Sequence, residues 1–262
     1  MKPDVFILGS RSTDRKDLME SAGFVPFVVI PSDYEEKDEA SDPNRLAEIF
    51  ARKKAEDVLE KVHREARKGT LVETLGLDPE SPKACAVLIT ADTIVSMKSE
   101  IYGKAESLFE AYATLTKLQG QTHKLITAFC IKVLEIDISA NRVTETDTRA
   151  GISVTKVKFL PLSDAKIKDY LESNEWKGRA GCYAIQGRAS QFIRSIDGSP
   201  SGVIGLPIAD IVLDLEAMDV HFSTPVDEEE EETGPEKEEE IEDDDSGDDG
   251  ALDEDSSEER ED

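Results

Sequence analysis

Histidine and cysteine are scarce in this chain, three of each among 262 residues, and there is a single tryptophan. His63, His123 and His221 are too widely spaced for an HxH or HExxH zinc site, which argues against a histidine-based metal centre. Cys85, Cys130 and Cys182 are odd in number, far apart and free of any CxxC spacing, so they read as reduced thiols and point to a cytoplasmic location. Long apolar runs are missing as well. The N-terminal VFIL is broken at once by GSRSTDR, so neither a signal peptide nor a membrane span is expected, and no membrane partner. Positive charge is the last shortage: 31 Lys and Arg stand against 58 Asp and Glu. That sign argues against nucleic acid as a partner.

The acidic excess is concentrated in one place. From Asp227 to Asp262 there are 23 acidic residues against Lys237 and Arg260, a net of −21 that leaves only −6 of the formal −27 to everything before it. A stretch so charged and so poor in apolar residues buries too little surface to offset the entropy of ordering. The expected organisation is therefore a folded domain over 1–225 and a disordered acidic tail over 226–262. The tail reads either as a solubilising appendage or as an arm for a basic partner, and both readings stay open.

Upstream, strands and helices alternate. VFILGS predicts a short buried strand and TDRKDLMESAGF a helix, with Leu18, Met19 and Ala22 at helical spacing and Gly23 as its stop. VPFVVI predicts a second strand, followed by the acidic turn PSDYEEKD. A long amphipathic helix is expected from Asn44 to about Arg67, carrying Leu46, Ile49, Phe50, Val58 and Leu59, with Gly69 closing it. Residues 69–83, with two prolines and two glycines, read as an irregular excursion. CAVLITADTIV predicts a strand and Ala105–Leu118 a helix. HKLITAFCIKVLEI and VTKVKFLPL predict two antiparallel strands joined by a polar connection. SDAKIKDYLES begins with a Ser163 and Asp164 cap signal and ends near Asn174, while GVIGLPIADIVLDLEAM reads as strand, turn and helix. The fold class is α/β with a mixed sheet.

Two segments carry the chemistry. ITADTIV places Asp92 inside an apolar run, where a carboxylate needs a reason, and a base for water is one such reason. EWKGRAGCYAIQG, some ninety residues on, offers glycines that let backbone N–H groups approach an anionic ligand. GSRSTDR carries hydroxyls into a helix start, an anion-binding arrangement that is equally a plain N-cap by Ser12 or Thr13. It lacks the GxxxxGK[ST] spacing of a Walker loop. Lys54 in the long helix and Lys104 in YGKAE read either as ordinary solvated surface lysines or as cations that neutralise phosphate oxygens.

Taken in order, LGSRSTDRKDL, FARKKAEDV, TADTIV, YGKAE, GQTHKLIT, KGRAGCYAIQG and VIGLPI resemble the Maf family of nucleoside triphosphate pyrophosphatases, from about Val5 to Leu215. The resemblance implies an elongated mixed sheet with flanking helices and two lobes around a central cleft, similar to inosine triphosphate pyrophosphatases. It also implies hydrolysis of a nucleoside triphosphate to monophosphate and pyrophosphate with a divalent cation, Mg²⁺ or Mn²⁺. Matched by motif, Asp92 is the proton acceptor. Ser10 and Arg15 fall on the phosphate loop, Glu36 on the acidic turn, Lys54 on the KA helix and Lys104 on the GK turn. Thr93 and Gln186 fall on substrate-choosing positions, and Asp92 with Glu36 would hold the metal. A glutamine at position 186 implies the branch acting on dTTP and UTP, with modified pyrimidine nucleotides equally compatible, since its amide both donates and accepts.

Three departures stand out. Asp14 replaces an arginine of the family's SxSPRR loop, so either specificity has shifted or Arg11 compensates. Ala105 replaces a proline, and residues 69–83 form a longer connection than usual. A non-catalytic nucleotide sensor that regulates cell division through the same cleft, with the acidic tail as partner arm, is the rival reading. A homodimer is left open.

Overall fold

The computed structural model describes residues 1–37 and 40–222. The acidic stretch over 226–262 and the domain edge at 225 lie outside the described residues. Seven strands form one mixed sheet: β1 (Val5–Leu8), β2 (Phe27–Val29), β3 (Lys83–Met97), β4 (Glu100–Tyr102), β5 (Thr122–Asp137), β6 (Arg142–Phe159) and β7 (Ile193–Asp197). Their order is β2-β1-β3-β5-β6-β7, with β4 paired to β3. The β1 pairings with β2 and β3 are parallel, and all others are antiparallel. The helices are α1 (Thr13–Ser21), α2 (Pro43–Lys68), α3 (Leu71–Leu75), α4 (Leu108–Leu118), α5 (Asp164–Glu172), α6 (Pro200–Ile204) and α7 (Ile208–Ala217). Among the described residues, no helix is long and apolar enough to cross a membrane.

Strand periodicity divides the first lobe into two layers. On β1, Val5 and Ile7 face α2 while Phe6 and Leu8 pack with α1 and α7. On β3, Ala86 and Leu88 take the α2 side, and Val87, Ile89 and Ala91 the other. Past residue 94 the same strand enters a different core, where Val95, Tyr102 and Leu125 meet α4, α5 and the glycine-rich loop. One continuous strand thus belongs to both lobes. At about 3.3 Å per residue, the 15 residues of β3 and 16 of β5 span roughly 50 Å, which makes the molecule elongated.

Helix α2 forms because its apolar residues recur at three- and four-residue steps. Leu46, Phe50, Val58 and Val62 are buried, with Ala47, Ala51 and Ala55 allowing close approach to the sheet. Its ends are marked chemically. The Asp42 carboxylate accepts from Arg45 N, Pro43 opens the first turn, and Gly69 closes the helix at φ +75°. Ser12, not Thr13, caps α1, accepting from Arg15 N, and Ser163 caps α5.

Several expectations need correction. Residues 69–83 contain α3, whose Leu71 and Leu75 lie one turn apart on a face buried against α2. The stretch GVIG is helix α6, not strand, because Ser199 caps it and Pro200 takes its first position. Most of the polar connection after Asp137 is strand: β6 starts at Arg142. Among the described residues only 156–158 are paired on both sides, and its threonine-rich first half is mostly exposed. Strands β4 and β7 had no prior signal. The β3–β4 turn is made by Lys98 and Ser99 at φ +51° and +67°, a type I′-like conformation usually advertised by Asn-Gly.

His123 lies near the start of β5, edge-on to Phe159 and Tyr183, with Nε2 2.8 Å from the Tyr183 hydroxyl. No described residue partners its buried Nδ1. Burial pushes its pKa down from 6.5 to about 4. The folded chain therefore takes up this proton later than the unfolded chain does. Its stabilising contribution is complete above pH 6.5 and is lost as pH falls towards 4. Stability is expected to drop by about 2 kcal/mol between pH 7 and pH 5 on this account. Urea unfolding of the wild type and His123→Gln at the two pH values checks this, since the variant should lose that part of the pH dependence.

Candidate functional site

The site is a gap in strand pairing. One edge of β3 is covered by β1 at residues 86–89 and by β4 at 95–97, and between them, where β1 has turned away at Gly9, the edge is open. Gly9 is required at this departure, because a Cβ there would stand 2.4 Å from the Thr90 methyl. Into the gap opens a cleft of about 630 Å³, within the range that holds a small-molecule ligand. All eight residues singled out in the sequence line it: Ser10, Arg15, Glu36, Lys54, Asp92, Thr93, Lys104 and Gln186.

Asp92 sits within β3, as the strand reading of CAVLITADTIV has it, paired with Ala128 of β5 and almost fully buried. Alternation aims Thr90 and Asp92 at α2. The Thr90 hydroxyl donates to the Ala51 carbonyl at 2.8 Å, and one helical turn later Lys54 Nζ meets Asp92 Oδ1 at 2.5 Å. The same ammonium reaches Glu36 Oε1 at 2.7 Å. Burial alone would raise the Glu36 pKa, but the Lys54, Lys104 and Arg15 cations outweigh it and hold this carboxyl below the usual glutamate value.

Thr93, one residue on, points the opposite way, towards α1. Arg15 is anchored there by three bonds: Nε donates to the Gly205 carbonyl at 2.7 Å, Nη1 to Ser10 Oγ at 3.1 Å and Nη2 to Thr93 Oγ1 at 3.1 Å. Thr127 donates its own proton to Gly202 O, so the 3.0 Å contact between the two threonines is donated by Thr93. A directed chain runs Arg15 to Thr93 to Thr127 to the backbone of α6. Three of the five guanidinium N–H groups are used, leaving two for a ligand. Burial lowers the Arg15 pKa from its ordinary value, opposed by the carboxylates of Asp92, Glu36 and Asp14.

Lys104 is placed by an antiparallel bridge to Ala180, which brings the GK turn beside the glycine-rich loop. It makes no ion pair among the described residues. Gln186 is exposed on the cleft wall next to Ile185, and no described residue hydrogen-bonds its amide. Arg11 does not compensate for Asp14: it pairs with Asp33 at 2.5 Å on an exposed rim, where such pairs contribute little. Asp14 is instead held by Arg179 through both guanidinium nitrogens. Arg179, Thr127 and Gly205 were missed in the sequence. The first lies in a block conspicuous for its glycines, and the others act through backbone or hydroxyl contacts without a spacing signal.

The lining thus carries five cationic side chains, Arg11, Arg15, Lys54, Lys104 and Arg179, against the carboxylates of Asp14, Glu36 and Asp92. Among the described residues no three His, Cys, Asp or Glu side chains form a metal-holding group. Removing the cation from the buried pair is expected to be costly. Lys54→Met should destabilise by about 3 kcal/mol, and adding Asp92→Asn should return most of that loss, as measured by urea unfolding.

A family model described as "Maf-like protein" matches residues 5–218. A dTTP/UTP pyrophosphatase of Rhizobium etli is 34% identical, covering 84% of this chain and 96% of its own length. One from Ruminiclostridium cellulolyticum is 35% identical over 77% and 90%, and one from Pyrococcus abyssi 36% identical over 79% and 93%.

Proposed function

Because the chain belongs to the Maf-like family, we propose that it is a nucleoside triphosphate pyrophosphatase that cleaves dTTP and UTP, and modified pyrimidine nucleotides of the same edge chemistry, between the α- and β-phosphates. The observation that carries this reading is the convergence of a buried carboxylate, Asp92, with Arg15, Lys54 and Lys104 on one cleft. Triphosphates are polyanions, and a lining with more cations than carboxylates suits them.

In this reading a water oxygen attacks the α-phosphorus while its proton passes to Asp92. Oδ1 of that carboxylate is held by Lys54, and Oδ2 receives no hydrogen bond from any described residue, so it is the oxygen open to the proton. The bond from the α-phosphorus to the bridging oxygen breaks, its electron pair leaving on pyrophosphate. The two uncommitted N–H groups of Arg15, the Ser10 hydroxyl proton and the Lys104 ammonium are positioned to take up charge on the phosphoryl oxygens. Thr93 acts here by holding Arg15 in place, and the free amide of Gln186 meets the base edge.

The donor set fits a divalent cation. Glu36 and Asp92 are hard oxygen donors that touch one ammonium, and Mg²⁺ is commonly held by one or two carboxylates together with substrate phosphates. When bound, such an ion offsets charge on the triphosphate.

The test is pyrophosphate release across dTTP, UTP, 5-methyl-UTP, CTP, GTP, ATP and 7-methyl-GTP with Mg²⁺. Turnover of the uracil and thymine nucleotides is expected, and chelation by EDTA should stop it. Asp92→Asn should lower kcat at least ~100-fold while calorimetry still detects nucleotide binding. Binding without turnover by the unmutated chain would sink the proposal.

A further inference from the structure

Asp14 and Arg179 have no part in the chemistry above, yet both line the cleft. They stand 165 residues apart, one in the first turn of α1 and the other in the glycine-rich loop, and their contact joins the two walls. The geometry is bidentate: both terminal nitrogens of the guanidinium reach the two carboxylate oxygens, one at 3.1 Å and the other closer. A phosphate presents the same pair of oxygens to an arginine fork. No other described residue bonds this guanidinium. The backbone around it turns through Gly178 and Gly181, both at φ near +70°, and a Cβ at Gly178 would meet nothing within 4 Å.

From this we infer that Asp14 is an internal stand-in for a phosphate group, and that Arg179 is an additional polyphosphate ligand of the cleft that exchanges the Asp14 carboxylate for substrate or product phosphate. The inference rests on the proposed function for the identity of the anion. The Asp14 carboxylate and a phosphate compete for one guanidinium. While Asp14 holds Arg179, affinity for pyrophosphate is reduced, which favours product release. The positive charge that the α1 loop lacks at position 14 is supplied from the opposite wall, and Asp14 sets how freely it is given. A mere strut between the walls would behave otherwise, because both of its members would then support binding equally.

Calorimetric titration with inorganic pyrophosphate and Mg²⁺ separates these cases. Arg179→Gln is expected to weaken binding at least tenfold, with Arg179→Lys, which keeps the charge but not the fork, falling between. Asp14→Asn is expected to tighten binding at least threefold, and to change it less than twofold when made in Arg179→Gln. Weaker binding in Asp14→Asn would make the pair a strut and overturn the inference. An equal gain in both backgrounds would reduce Asp14 to a general field effect, and an unchanged affinity in Arg179→Gln would remove Arg179 as a ligand. Either result also overturns it. Because the titration needs no turnover, a chain that hydrolysed no nucleotide would defeat the proposed function and still leave this measurement readable.

Discussion

A carboxylate in the middle of a sheet strand is tolerated only where something cancels its charge, and in this protein the Lys54–Asp92 contact does so. Its geometry makes demands on much of the first lobe. Helix α2 must run close enough to β3 for a lysine to reach, which is why alanines line its sheet-facing side and why the Thr90 hydroxyl ties the two elements together one turn earlier. The edge of β3 must be open at the same point, which follows from β1 ending at Leu8 and β4 beginning its pairing only at Val95. The cleft is therefore a consequence of unequal strand lengths, and the ion pair marks its floor.

Strand alternation then distributes the chemistry. Neighbouring residues on an extended chain point to opposite faces, so Asp92 addresses α2 and Thr93 addresses α1. Where the strand edge is unpaired, side chains from both faces meet in one space. Arg15 is held rigidly by Gly205, Ser10 and Thr93, whereas no described residue forms an ion pair with Lys104 or hydrogen-bonds the Gln186 amide. A site built this way has a preorganised wall and a receptive one, a division that suits a ligand with a charged end and a base.

How much of this was legible beforehand depended on the range of the interaction that produced each feature. Helix α2, the caps at Ser12 and Ser163 and the apolar strands β1, β3 and β5 have local signals. Those signals survived folding because each element buries the face its periodicity advertises. The segments that differ had local signals that conflict or are silent. GVIG is apolar enough for a strand, but the Ser199 cap and Pro200 just ahead of it start a helix. The threonine-rich opening of β6 lacks the apolar alternation of a half-buried strand because only β5 pairs with it, and Lys98 and Ser99 adopt left-handed conformations that their identities do not announce.

The sequence by itself determined the α/β class, the motif residues that line the cleft and the family to which the chain belongs, because these reside in residue types and spacings along the chain. Tertiary structure alone decided what each residue touches. It turned the altered loop position from an uncompensated acid into a paired one, since the arginine that meets Asp14 arrives from a segment 165 residues away. It also committed the Thr93 proton to Thr127 and left the Gln186 amide open. Hydrogen bonds and ion pairs form between groups brought together by the fold, and sequence distance carries almost no information about which groups those are.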